Sequence, residues 1–147
     1  MAQWSSPVYD RTLSDVEYAI SQLKNGNDGR EEYKGCFNAT DINRIENNTR
    51  YIADRLNVLK YTNTIETKGW TVLKIPTAAE VTRLINNVLK LINAYYRPAN
   101  SPELPSTLLT FEQVNALEKM LYMIKHLIDE EENEFRHCGT FNCGEDW

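Results

Sequence analysis

Apolar residues recur along this chain at alternating steps of three and four. Ile42, Ile45, Ile52 and Leu56 form one stripe, with Thr49 filling its gap. Val81, Leu84, Val88, Leu91 and Tyr95 form a second, and Val114, Leu117, Leu121, Ile124 and Ile128 a third. That spacing places every member on one face of an α-helix. A shorter version, Val16, Ala19, Ile20 and Leu23, stands nearer the N-terminus. Each stripe starts four residues after a good helix cap: Thr12, Asn38, Thr77 and Thr110. Asp15, Asp41, Glu80 and Gln113 follow these caps three positions on. In such a box the cap side chain accepts from a free backbone N–H, and the acid or amide reaches back to the cap's own N–H. Each cap contributes about 1 kcal/mol. One match is common by chance, but four in register with the stripes are not. They predict helices over about 12–25, 38–59, 77–96 and 110–135, within a helical domain spanning 12–135.

Between the helices the pattern changes. Residues 1–11 carry Trp4, Pro7 and Tyr9 without helical periodicity and read as an extended N-terminal arm. Gly26 and Gly29 end the first helix. Residues 57–76 are rich in β-branched and aromatic side chains, with Lys68-Gly69 as a candidate turn, so a short hairpin or an ordered loop is expected there. Pro76 enforces extended backbone ahead of Thr77. Three prolines between 97 and 109 make a stiff connector, and 136–147 reads as a hairpin-like C-terminal tail. The acidic run Asp129 to Glu132 falls where the helix dipole disfavours it, which predicts fraying or a basic partner.

A one-sided helix must cover its apolar face, and each large side chain buried contributes roughly 1.5–3 kcal/mol. Packing the stripes together gives the expected fold: mainly α, a small helical bundle built from a repeated capped amphipathic helix. The same spacing also permits coiled-coil contact with a second subunit.

Composition narrows the function classes. A length of 147 residues, 41% hydrophobic and 25% charged, suits one globular domain. The net charge of −5 argues against broad nucleic-acid binding, which needs a basic face. No apolar run approaches the roughly 20 residues that span a bilayer. The first residues show no secretory pattern, so synthesis in the cytosol is expected and two Asn-x-Thr matches read as chance.

Candidate chemistry is sparse. His137, Cys138 and Cys143, with His126 further back, are zinc-type ligands. Their spacing is wrong, however, and no second Cys pair exists, so no metal is expected. A Cys138–Cys143 disulfide stays open as an alternative in an oxidising medium. No phosphate loop, dinucleotide fingerprint or HExxH is present, and no catalytic residue or cofactor site is expected. Glu46 and Glu118 occupy equivalent places in two repeats, as do Asn43 and Asn115. They read as solvated or interhelical polar contacts, with Glu118 facing Tyr122 or Lys125. The aromatics outside the helices, Trp4, Tyr9, Trp70, Phe141 and Trp147, are interface candidates. They can anchor a partner or fold back over the bundle ends.

The segments PVYDRTLSDVEYA, FNATDINRIENNTRYIADRL, IPTAAEVTRLINNV and CGTFNCGED resemble a family of tail-associated structural proteins encoded by phages and prophages of Gram-positive bacteria. The resemblance covers most of the chain and is weakest over 57–74 and 97–109. It implies a virion component of the tail, baseplate or fibre-attachment region, made in the bacterial cytoplasm and present in several copies. Its implied partners are itself and other phage tail proteins, with no nucleic acid, membrane or small-molecule substrate. It brings no catalytic residues. The alternatives are a cytosolic helical adaptor for one protein partner, and a host-surface or glycan-binding tip protein with an aromatic patch around Trp70.

Overall fold

A computed structural model describes residues 2–29 and 33–140. Among these residues are four helices: α1 (Leu13–Lys24), α2 (Ala39–Val58), α3 (Ala78–Ala94) and α4 (Phe111–Thr140). Each begins one residue after its expected cap. The reciprocal box is formed by Thr12 with Asp15, Asn38 with Asp41, and Thr77 with Glu80. At α4, Gln113 N–H donates to Thr110 Oγ1 while Thr110 N–H donates to Gln113 Oε1. These contacts use backbone donors that a helix start otherwise leaves unpaired.

α2, α3 and α4 pack together around the three stripes. Ile45, Ile52, Leu56, Val88, Leu91, Leu117, Leu121, Ile124 and Ile128 are fully buried, and Met120 joins them. All three helices run in the same direction. Arg44 and Arg55 of α2 meet Glu118 and Asp129 of α4, both pairs in ascending order. Arg83, early in α3, meets Glu46, and Tyr95 at its end meets Tyr61, just beyond α2. Parallel neighbours need connectors that return the length of the bundle. A 20-residue helix is about 30 Å long, which an extended chain recrosses in about nine residues. The segments 59–77 and 95–110 are long enough to do so.

Several expectations are corrected. Of the two expectations for 57–76, the ordered loop holds and the hairpin does not, since there is no strand among the described residues. Residues 61–70 are extended, but they bond to helix side chains instead of to a second strand. The turn lies at Thr71–Lys74, where Lys74 N–H donates to Thr71 O at 3.0 Å, and not at Lys68-Gly69. The inner face expected of α1 shrinks to Ala19, and Ile20 is largely exposed. α1 sits on the outside, ended by Asn25 and by Gly26 at φ +82°. Gly35 passes so close to it that a Cβ there would lie 2.2 Å from Asp15 O. α4 continues to Thr140, past the expected end at 135, because its acidic run finds a basic partner. Arg55 donates to Asp129 and Glu132, both at 2.6 Å. The tail expected over 136–147 is helical to Thr140, and the remainder lies outside the described residues.

Candidate functional site

The polar residues that the sequence singled out in pairs, Asn43 with Glu46 and Asn115 with Glu118, lie at two seams between helices. Each asparagine grips an extended segment by its backbone. Asn43 Nδ2 donates to Trp70 O at 2.9 Å, and Trp70 N–H donates to Asn43 Oδ1 at 2.8 Å. Asn115 treats Arg11 in the same way, at 2.9 and 3.3 Å. A third asparagine, Asn48, holds both backbone groups of Ser5. An amide carries the donor and acceptor of a peptide group on a short stem, so it replaces a strand partner where none exists. Six otherwise unmet backbone groups are satisfied this way.

The glutamates neutralise arginines at the same seams. Glu118, 1% exposed, accepts from Val8 N–H at 2.7 Å, from Arg44 Nε and Nη2 at 2.9 and 2.5 Å, and from Arg11 Nη2 at 3.2 Å. Asp41 shares the same Nη2 groups, accepting from Arg11 at 2.8 Å and from Arg44 at 2.5 Å. Two guanidiniums thus face two carboxylates in a cluster almost without water. Burial alone disfavours the charge on Arg44, but the hydrogen bonds it donates to Glu118 and Asp41 outweigh this and hold the guanidinium protonated more firmly than in water. At the second seam Glu46 accepts from Trp70 Nε1 at 3.2 Å and pairs with Arg83. Arg83 Nη1 also donates to Glu66 O, at 2.6 Å.

Of the two readings of these four residues, interhelical contact holds for Glu46 and Glu118, which pair with Arg83 and Arg44, while Asn43 and Asn115 hold extended segments instead. The contact expected between Glu118 and Tyr122 or Lys125 is replaced. Lys125 pairs with Asp129 at 2.7 Å, one turn on. The arginines Arg11, Arg44 and Arg83 were missed, although a signal existed. Arg44 and Arg83 each stand six residues after an N-cap, as Asn43 and Asn115 each stand five after one.

A third cluster closes the other end of the bundle. Glu131 accepts from Tyr61 at 3.0 Å and from Tyr95 at 2.5 Å, and the two rings meet edge to face. The hydrogen bond to Glu131 pushes the Tyr61 phenol up to about 12, and burial followed by the same carboxylate raises Tyr95.

The aromatic candidates divide. Trp70 is 5% exposed, lies within the chain's own core and is capped by the Lys74 ammonium 4.9 Å from its ring. The folded-back alternative therefore holds for Trp70. Trp4 is half-buried between Tyr51 and the Lys125 ammonium. Tyr9 stays at the surface against Tyr122, their centroids 5.5 Å apart. Phe141 and Trp147 lie outside the described residues. So do Cys143 and the side chains of His137 and Cys138, while His126 is exposed beside Glu130 at 3.4 Å. Among the described residues no group of three or more metal-type ligands gathers, and no helix is long and apolar enough to cross a membrane.

Chemically, the buried carboxylates have their lone pairs occupied by fixed cations and N–H groups. Such an arrangement holds chain segments in place. Fold and site together define a small all-α bundle of parallel helices, bound by extended segments through asparagine and arginine–carboxylate clasps. Set against protein-family models, curated proteins and solved structures, the chain finds no match.

Proposed function

We propose that this protein is a structural component of a phage tail, in the baseplate or fibre-attachment region, that assembles with copies of itself and with other tail proteins. One observation carries the reading. Val72, Leu73, Ile75 and Leu109 are 71–95% exposed, and all lie just ahead of the N-caps of α3 and α4. Because the helices are parallel, these side chains come to the same end of the bundle, joined there by exposed Leu13 at the start of α1. Large apolar groups concentrated at one end mark a contact surface more often than a solvated one. The polar clasps support the same role, since they fix segments rigidly and leave the apolar end outermost. The sequence resemblance to tail-associated proteins supplies the setting.

The test is sedimentation and light scattering of the full chain over a range of concentrations, with Leu73→Ser and Ile75→Ser made together. Concentration-dependent assembly that the double substitution weakens, at unchanged helical circular dichroism, is the expected result. A chain that stays monomeric alone and with neighbouring tail proteins overturns it.

A further inference from the structure

Side chains of α2 and α4 hold the N-terminal arm at every third residue. Asn48 takes both backbone groups of Ser5, Glu118 accepts from Val8 N–H at 2.7 Å, and Asn115 takes both backbone groups of Arg11. That spacing is the period of polyproline II, which Pro7 favours. Two side chains add identity. Trp4 lies against Tyr51, ring centroids 5.7 Å apart, and Arg11, 5% exposed, supplies the charge that Asp41 and Glu118 need beyond Arg44. Nowhere else in the chain does an arginine follow a tryptophan by seven residues. The seam of α2 with α4 is therefore a binding groove, and the segment it selects is 4–11 of this chain.

The helix that joins this arm to the bundle is held far less. α1 contributes Ala19 to the interior, while Leu13, Tyr18 and Ile20 stay 47–60% exposed. After it, residues 25–28 are exposed, and Gly26 turns the chain back at φ +82°. Glycine takes extended backbone as readily, so this turn opens without strain. Opening it carries the arm away by the 12 residues of α1, about 18 Å, plus up to about 14 Å for residues 25–28.

We propose that the arm and α1, residues 2–24, are exchanged between two copies of the chain, each laying its arm into the other's groove. The inference rests on the self-assembly part of the reading above and uses a different surface from Leu73 and Ile75. Contacts of the closed chain, such as Lys34 with Asp10 and Gly35 against Asp15, are remade in the pair. Exchange of identical elements is therefore a low-cost contact that closes after two copies. The buried charges set its selectivity. A groove emptied of its arm leaves Asp41 and Glu118 facing Arg44 alone, and a segment that brings its own cation restores the balance.

The experiment is cross-linking between copies of the full-length chain carrying Cys36→Ala, Cys138→Ala and Cys143→Ala. One copy has Gln3→Cys and the other Asn47→Cys, positions joined by the 2.8 Å bond from Asn47 Nδ2 to Gln3 O. The two are mixed at high concentration and oxidised, and the linked pair is measured on a non-reducing gel. It should be at least about tenfold more abundant than the pair formed by Gln3→Cys with Lys90→Cys, an exposed position on α3. It should also persist when Leu73→Ser and Ile75→Ser are added. Ser5→Cys with Asn48→Cys repeats the test at the next clasp, and circular dichroism checks the fold of each chain. A linked pair no stronger than the control, or one that vanishes with the two serine changes, overturns the exchange. Where sedimentation still shows assembly, that result leaves the apolar-end reading standing. A chain that stays monomeric in sedimentation overturns the exchange together with the self-assembly part of that reading.

Discussion

Replacing Glu118 by glutamine keeps the shape of the side chain and removes one charge from a nearly dry cluster. Arg11 and Arg44 would then share Asp41 alone, with side chains only 3% and 13% exposed. Arg44 cannot escape by losing its proton, because a guanidinium stays charged throughout the accessible pH range. Removing one partner from a buried ion pair typically costs about 3–5 kcal/mol, much of it the penalty of the charge left behind. For a chain of this size each kcal/mol lowers the midpoint by about 2–4 °C, so Glu118→Gln should melt roughly 6–20 °C below the parent. The arm should also loosen, because Val8 and Arg11 both hang on this carboxylate. Arg11 is buried in the parent, so the bond after it should resist trypsin there and become cleavable in the variant. A control separates charge imbalance from lost packing. Glu118→Leu combined with Arg44→Met leaves Arg11 balanced by Asp41, and should cost less than half of the single change. A Glu118→Gln protein melting within about 2 °C of the parent, with Arg11 still protected, would show that the cluster is not what fixes the arm.

The other predictions concern the remaining clasps and the far end. Asn43→Ala strips Trp70 of both backbone partners and should cost about 1–3 kcal/mol in urea unfolding; a smaller loss than that of an exposed control such as Asn86→Ala would contradict the clasp. The phenols of Tyr61 and Tyr95 titrate above their unfolded value, so the stability they contribute is complete below about pH 10 and is lost as pH rises through the folded values, about 12 for Tyr61. Alkaline unfolding followed by circular dichroism should therefore steepen above pH 10 in the parent, and less so in Tyr61→Phe with Tyr95→Phe. Asp15 and Glu80 are held low chiefly by the cap N–H groups of Thr12 and Thr77, so their contribution is present above about pH 4 and fades as pH falls through their folded values. Hydrogen exchange should be faster over 97–109 than over 61–70, because asparagine amides hold the second segment and not the first.

Helix positions were legible because each start is written locally. Cap, box partner and apolar stripe all fall within a few neighbouring residues, and short-range sterics and hydrogen bonding suffice to read them. Helix direction was not, since a 3-4 stripe looks the same in parallel and antiparallel packing. The only hint was connector length, enough to run back along the bundle. Over 61–70 the sequence left hairpin and ordered loop open, because a segment pressed extended against helices favours the same β-branched and aromatic side chains as a strand. The polar seams were half legible. The equivalence of Asn43 with Asn115, and of Glu46 with Glu118, stands in the sequence, but the partner of Asn115 lies 104 residues away. No local pattern specifies a contact of that range. Trp70 illustrates the same limit, since loop position left anchor and folded-back readings open, while Asn43 and Glu46 draw it inside.

That equivalence also bears on what the buried charges are for. At the seam of α2 with α4, the Asn and Glu come from α4, the arginine from α2, and the segment held is 3–11. At the seam of α2 with α3, the Asn and Glu come from α2, the arginine from α3, and the segment is 61–70. One rotation about the bundle axis relates the two arrangements. Repeating it a third time would put the clasp between α3 and α4, where Thr82, Ile85 and Ala116 stand at the corresponding places. There the chain uses another means. Pro98 is buried beside Leu127, and Leu104 and Leu108 pack onto the core. An isolated contact has no reason to occur twice in one chain in symmetry-related places, each time tying down a different segment. A device for laying extended chain along parallel helices does. The repetition itself, more than the burial of any single carboxylate, assigns these residues to holding the bundle's architecture. It leaves the uncovered apolar end, with Val72, Leu73, Ile75 and Leu109, as the surface on which the proposed assembly rests.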